Sequence, residues 1–460
     1  MTTFRLRDVE IEGRRCDVAV VDGVIARVDP RAALPPGPDD IDGGGAALLP
    51  GLHDHHLHLF AMASAAGSVD CSPSAVHDLA GLAAALQAAP ADEWIRGTGY
   101  HESVAGDLDR ALLDRLVPQR PVRIQHRSGA LWMLNSVALA RIEAALGESD
   151  DVERDESGTP TGRLWRFDAR LRRALPQVPP SLAPVGRRLA AYGITGVTDA
   201  TPDLDETALR LLADAVGDGS LPQRLTLLGA PLGARPPHGV RIGPRKLHLR
   251  DHELPTFDEL LDQVATTHAA GRAVAIHCVT RTSLLLSLAV LEQVGALPGD
   301  RIEHASVVPA ETRAQLRGLG VHVVTQPDFL RTRGADYLRD VDAEDIALLY
   351  PYASLLAADI PTCASSDAPY GSADPWQVIM SAVARRTTEG TVIGADERVE
   401  AWTALAGYLA PPDSPGGPPR RVSPGEPADL VLLDRPLAGA LTDPRAEHVR
   451  SVWIAGRPVA

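Results

Sequence analysis

The sequence predicts an α/β protein: a (β/α)8 TIM barrel, a small β-sandwich built from both chain ends, and a long insertion after barrel strand 1. Three observations predict it. Eight short apolar runs with polar C-terminal ends fall along the middle of the chain, with helical segments between them. The two ends carry short alternating strands of the same kind. The gap between the first two runs, from 58 to 196, is far longer than any later gap.

The elements follow in order. Phe4–Leu6, Cys16–Val21 and Val24–Val28 alternate as strands, and Asp22-Gly23 between the last two is a hairpin turn signal. The first apolar run is Leu52–His58. The insertion, about 61–190, reads as strands at Trp94–Tyr100 and Pro121–His126, a helix at Ser136–Leu146 and a turn-rich hairpin at Asp150–Gly162. We expect it to lie over the barrel mouth. Runs two to eight are Gly196–Ala200, Arg224–Gly229, Lys246–Leu249, Ala273–Cys278, Arg301–Ala305, Val321–Gln326 and Thr362–Asp367. Phe257–Ala270 and Thr282–Gly295 read as helices between them. Residues 411–425 are rich in Pro, Gly and Ser and read as a loop. Ala428–Leu433 and Val449–Gly456 close the chain as strands. The predicted division is a composite sandwich of 1–49 with 421–460, and a barrel of 50–420 that contains the insertion.

Composition narrows the function. The 460 residues are 45% hydrophobic and 23% charged, ordinary for a globular enzyme. A net charge of −15 argues against nucleic acid as a partner. Cys16, Cys71, Cys278 and Cys363 are widely spaced, so neither a zinc knuckle nor a disulfide framework is suggested. No stretch has the length of a membrane helix, and the first residues lack a signal-peptide core. We expect a cytoplasmic enzyme with a small-molecule substrate and no membrane partner, with a homodimer as the candidate assembly.

One residue is singled out by its rarity. Lys246 is the one lysine in a chain of 45 basic residues. Arginine replaces lysine on a solvated surface, but not where the nitrogen must react. A desolvated lysine can be a neutral amine and take up CO2 as a carbamate. Lys246 sits in a short apolar strand, with histidines and an aspartate on comparable strands to either side.

Those polar strand ends carry the remaining candidates. On a strand, residues i and i+2 share a face, so His56 and His58 can meet one ion. The fifth run ends in His277, the sixth in His304 and the eighth in Asp367. Each alone is weak, because a lone strand histidine is more often a satisfied polar residue. The order HxH, Lys, His, His, Asp on runs one, four, five, six and eight is far more specific. With Pro50-Gly51-Leu-His-Asp54-His-His56-Leu-His58, Arg301-Ile-Glu-His304-Ala and Ser366-Asp367-Ala-Pro369, it resembles the amidohydrolase superfamily of metal-dependent hydrolases. Arg127-Ser-Gly129, Leu134-Asn135-Ser136, Gly158–Gly162 and Gly193–Asp199 are similar to the amidohydrolase 3 branch, which contains N-substituted formamide deformylase.

The resemblance implies roles. His56 and His58 would bind the more buried metal, His277 and His304 the second, and a carboxylated Lys246 would bridge the two. Asp367 would touch the buried metal and take the proton of a metal-activated hydroxide. Zinc suits such His and carboxylate ligands. The implied reaction is hydrolysis of a C–N bond in an N-acyl or N-formyl amine or a cyclic amide. The alternatives are a mononuclear deaminase of a heterocycle and a metal-free binding scaffold. Lys246 counts against the first and the complete ligand set against the second.

Substrate contacts are expected from the insertion and the βα loops, with Tyr100, His101, His126, Arg127 and Trp132 as candidates, Trp132 reading more as core than as a substrate platform. Arg127 has an equal reading as a tie between insertion and barrel. Two departures bear on the substrate. Arg166 stands where relatives often carry a carboxylate, which suggests an anionic substrate. Arg250-Asp251-His252 stands where relatives commonly have an Asp-Gly turn after the lysine strand. Asp54 is either a support for the metal ligands or structural, and His53 and His55 should face away from the site.

Overall fold

Each of the eight apolar runs is a strand in the computed structural model: Leu52–Leu57, Ile194–Asp199, Arg224–Leu227, Arg245–Leu247, Val274–Cys278, Arg301–His304, His322–Thr325 and Thr362–Ala364. The structure describes residues 3–30, 37, 40–73, 75–89, 94–175 and 180–460. The parts of the predicted sandwich and insertion at 1–2, 31–36, 38–39, 74, 90–93 and 176–179 lie outside the described residues. The chain forms two units, 1–59 with 182–460, and 60–181.

In the first unit the strands are parallel, but they are not one continuous ladder as the closed barrel predicts. They form a four-stranded sheet, Val240–Ile242, Arg224–Leu227, Ile194–Asp199, Leu52–Leu57, and a five-stranded sheet that runs from Arg245–Leu247 to Thr362–Ala364. The break has a local cause. The stretch 240–247 pairs through Val240–Ile242 with the third run, then through Arg245–Leu247 with the fifth. Gly243-Pro244 lies between, and proline has no N–H to continue a ladder. Few backbone hydrogen bonds tie the seams, among them His58 N to Ala368 O (2.9 Å). Lys246 N donates to Leu228 O (3.0 Å) on one side, and Asp367 N donates to His56 O (2.8 Å) on the other. The half-buried Arg272 fastens the first seam, donating to the carbonyls of Gly243 (2.7 Å), Ala230 (2.6 Å) and Leu228 (2.8 Å).

The helices cover the sheet as the sequence dictates. Phe257–Ala269 and Arg281–Val294 each begin at a threonine, Thr256 and Thr280, whose side chain accepts from the third helical N–H in a capping box. Their apolar stripes, including Leu260, Val264, Leu284, Leu288 and Leu291, pack on Ile276, Ile302 and Val323 in one fully buried cluster. Truncating Leu288 to alanine there would cost about 2–5 kcal/mol.

The chain ends build two four-stranded sheets. One orders Val24–Pro30, Arg14–Val21, Thr3–Ile11 and Asp40–Asp42; the other orders Arg457–Pro458, Val449–Ile454, Leu430–Leu433 and Leu48–Pro50. Leu6, Val18 and Val20 of the first share a buried core with Leu430, Leu432 and Trp453 of the second. Asp22 and Gly23 turn the predicted hairpin with φ of 50° and 81°.

The second unit holds a six-stranded sheet, from Val152–Arg154 through Pro160–Trp165, Leu131–Leu134, Val122–His126 and Ile95–Tyr100 to Val69–Asp70. The helix predicted over Ser136–Leu146 is two pieces, Ser136–Arg141 and Glu143–Leu146, because Ile142 leaves helical geometry at φ −115°, ψ 15°. Among the described residues no helix is long and apolar enough to cross a membrane.

Candidate metal centre

The site is built at the C-terminal ends of the parallel strands, where such folds place their chemistry. His56 is buried and His58 half-buried at the end of Leu52–Leu57, and both present Nε2 toward Asp367. Asp367 Oδ1 lies 3.1 Å from His58 Nε2 and 3.5 Å from His56 Nε2. One ligand atom from each of the three lies within 4.8 Å of the others. Asp367 Oδ1 is buried and accepts no hydrogen bond. Two imidazole nitrogens thus converge on an unpaired, buried carboxylate oxygen, which suits a cation.

The supporting groups fix these rings. Glu303, fully buried, accepts from His56 Nδ1, so the ring proton sits on Nδ1 and Nε2 keeps its lone pair. Glu303 also accepts from Arg301 Nε and, at 3.1 Å, from Arg301 Nη2. Burial alone would raise Glu303, but Arg301 and Lys246 hold it below the usual carboxylate range. His58 Nδ1 lies 3.3 Å from Thr201 Oγ1, and His304 Nδ1 lies 2.8 Å from Gln326 Oε1. Burial drives His56 and His304 well below their ordinary pKa and His277 down to about 2, so all three stay neutral.

Lys246 stands beside this group, 5% exposed, with Nζ 3.3 Å from His56 Nε2. Burial pushes its ammonium down to about 8, against the pull of Glu303 and Asp367. A lowered pKa makes the neutral amine more accessible here than in an ordinary lysine. His277 stands edge-on to His304, with ring centroids 4.4 Å apart, and to His248 at 4.8 Å. The backbone is left-handed at His304 (φ 69°), Ala305 (φ 45°) and Asp367 (φ 49°), a conformation costly for non-glycine residues.

The structure thus brings His56, His58, Lys246 and Asp367 together, with His277 and His304 on the adjoining strand ends. Asp54 supports the same loop. It is buried, accepts from His56 N (3.1 Å) and Ser366 N (3.3 Å), and burial raises it to about 6. His53 and His55 are packed away from the site, on Thr198 Oγ1 (2.8 Å) and Gly407 O (3.2 Å). A cavity of about 300 Å³ borders Lys246, Asp203, Leu204 and the Gly229–Leu232 turn.

The insertion candidates lie in the second unit. Tyr100 belongs to its core, with its hydroxyl donating to Gly106 O (2.6 Å). His126 Nε2 meets Glu102 Oε2 at 3.1 Å. Arg127 and Arg166 are exposed, Arg166 with φ 51°. Trp132 is buried, as expected of core, with the guanidinium groups of Arg96 and Arg123 over its ring.

Sequence reasoning missed Glu303, Gln326 and His248 as neighbours of the site. Glu303 had a signal: opposite charges at 301 and 303 on one strand face read as a buried pair. His248, two residues after Lys246, had the same strand-face signal.

Comparison with known proteins bears on the family and the fold. The sequence profile of the amidohydrolase family matches residues 40–460. The chain is 27% identical to N-substituted formamide deformylase of Arthrobacter pascens, over 93% of this chain and 90% of that protein. Its fold is similar to that of an uncharacterized metal-dependent hydrolase from Pyrococcus horikoshii, with a TM-score of 0.78, 21% identity, and 94% and 98% of the two chains covered. It is also similar in fold to N-isopropylammelide isopropylaminohydrolase from Burkholderia multivorans, with a TM-score of 0.55, 18% identity, and 100% and 98% covered.

Proposed function

Because the chain belongs to the amidohydrolase family, a family of TIM-barrel-type hydrolases, we propose that it cleaves a C–N bond of an N-acyl or N-formyl amine or a cyclic amide with the help of divalent metal. The observation that carries this reading is the convergence of His56, His58 and Asp367 beside a buried lysine whose Nζ lies 3.3 Å from His56 Nε2. The formamide deformylase similarity supports the N-formyl or N-acyl class.

In this reading His56 and His58 would hold one ion and His277 and His304 a second, with Lys246, as its carbamate, as a further ligand. Zinc is the first choice. Bound there, the ions would lower the pKa of water and polarise the substrate carbonyl. The protein's own groups do the rest. Asp367 accepts the proton of the attacking water and returns it to the leaving nitrogen as the C–N bond breaks. Glu303, Gln326 and Thr201 keep the histidine rings in place. The same reading keeps a cytoplasmic location and a homodimer as expectations.

A second reading, a mononuclear deaminase of a heterocycle, draws on one observation: the tightest cluster has three ligands, not six. Metal content per chain, measured on protein purified with bicarbonate and without chelator, separates the two. Two ions per chain, with hydrolysis of formamides or N-acyl amines, support the dinuclear hydrolase. One ion favours the deaminase. No ion after addition of zinc or manganese refutes both.

A further inference from the structure

The first unit carries a second chemical feature near the centre. Arg333 lies on the helix Asp328–Asp340, which follows the seventh barrel strand. Its guanidinium sits 4.1 Å above the ring of Phe329, and Nη2 donates to Tyr370 O (3.3 Å). Tyr370 is the link to the centre. Its N–H donates to Asp367 O (2.9 Å), and its ring stands edge-on to His58, 5.6 Å between centroids. One residue therefore separates Arg333 from the His58–Asp367 pair, and that residue is 55% exposed.

The surroundings of Arg333 differ from those of its helix neighbours. Arg331 pairs with Asp328, and Arg339 pairs with Asp336 and Asp340. Among the described residues Arg333 makes no such ion pair. Its guanidinium also lies within hydrogen-bonding reach of the Tyr337 hydroxyl, which meets that of Tyr350 at 2.9 Å, and Tyr350 packs edge-on to Phe329, 5.8 Å between centroids. A guanidinium stacked on a ring is held flat, and its in-plane N–H groups match the two oxygens of a carboxylate. In a chain of net charge −15, an anionic substrate also needs a local cation to approach.

We propose that Arg333 anchors a carboxylate on the substrate, so that the compounds bound here are amides carrying a carboxylate beside an apolar group. The cleavage of those amides rests on the hydrolase reading above; their binding does not. The test uses N-formyl- and N-acetylphenylalanine, both enantiomers, and their neutral carboxamide analogues, with metal-loaded wild type, Arg333→Gln and Arg333→Lys. Turnover is followed directly, and binding is measured by calorimetry on Asp367→Asn with and without Arg333→Gln.

We expect the carboxylates to be preferred over the neutral amides. Arg333→Gln should lower the preference for the carboxylates over their neutral analogues by about 10- to 100-fold, chiefly through KM. Arg333→Lys should recover part of the loss. Equal loss for charged and neutral compounds, or no carboxylate preference in binding, overturns the proposal. Turnover that is independent of Arg333 keeps the hydrolase and removes the anchor. Arg333-dependent binding without turnover keeps the anchor and removes the hydrolase.

Discussion

Replacing Glu303 with glutamine tests the support of the metal centre most directly. The carboxylate is 0% exposed and receives three hydrogen bonds, one from His56 and two from Arg301. Arg301 is itself 1% exposed and gives its remaining bond to His55 O at 2.6 Å. Glutamine offers one acceptor oxygen where two are in use, and its amide N–H groups would face donors. It also leaves the Arg301 charge buried without its counter-ion. Breaking a buried pair in this way costs about 3–5 kcal/mol. Loss of the group that fixes a ligating histidine weakens metal binding by about 10- to 100-fold. Both effects are measurable separately: urea unfolding of the metal-free protein reports the first, and competition with a chromophoric chelator the second. Glu303→Asp should fall between wild type and Glu303→Gln in both. A folded Glu303→Gln protein that binds zinc within about twofold of wild type would refute the orienting role.

Other residues give sharper chemical tests. Lys246→Arg should retain one ion instead of two and lose most activity; full activity with two ions would remove the carbamate. Because the neutral amine is the reactive form and burial sets the ammonium near 8, reactivation of metal-free wild type at fixed dissolved CO2 should rise about tenfold per pH unit below 8 and level off above it. A rate flat between pH 6 and 8 would show that Lys246 is not the titrating group. Asp367→Asn should keep at least one ion and slow turnover by about 10²–10⁴-fold, and an unchanged rate would assign the proton to another group. Asp54→Asn should stabilise the metal-free protein at neutral pH. Burial raises the folded carboxyl from 3.8 to about 6, so the folded state loses stability as pH rises from 4 to 6 and stays penalised above, by up to about 3 kcal/mol. Unfolding at pH 7.5 and 4.5 checks this, and an equal effect at both would contradict it.

Much of this site was legible because strands alternate. His56 and His58 share a face, and Lys246, His277, His304 and Asp367 each end a run whose apolar residues pack on helices. The order of those residue types then pointed to the family. Other features leave no pattern. Val240–Ile242 is three residues between Gly239 and Gly243-Pro244, and its turn composition hides a strand. Gln326 gains its role only through a neighbour 22 positions away, His304. Left-handed backbone at His304 and Asp367 cannot be read from their residue types. Tyr100 joins the core out of phase with Ile95 and Gly97, after a register shift in its strand that alternation in the sequence does not reveal.

The two seams of the parallel sheet carry a consequence for how the protein holds itself together. Main-chain pairing is sparse there, and the residues that cross it are Lys246 on one side and His56, His58 and Asp367 on the other. His56 belongs to the four-stranded sheet and His58 directly follows it, whereas Lys246, His277 and His304 belong to the five-stranded one. Any ion shared among these side chains is a cross-link between sheets. Catalytic loading and mechanical closure then become one event, and stripping the metal should open the amide hydrogens of 240–247 and 56–58 to exchange ahead of the strands between them.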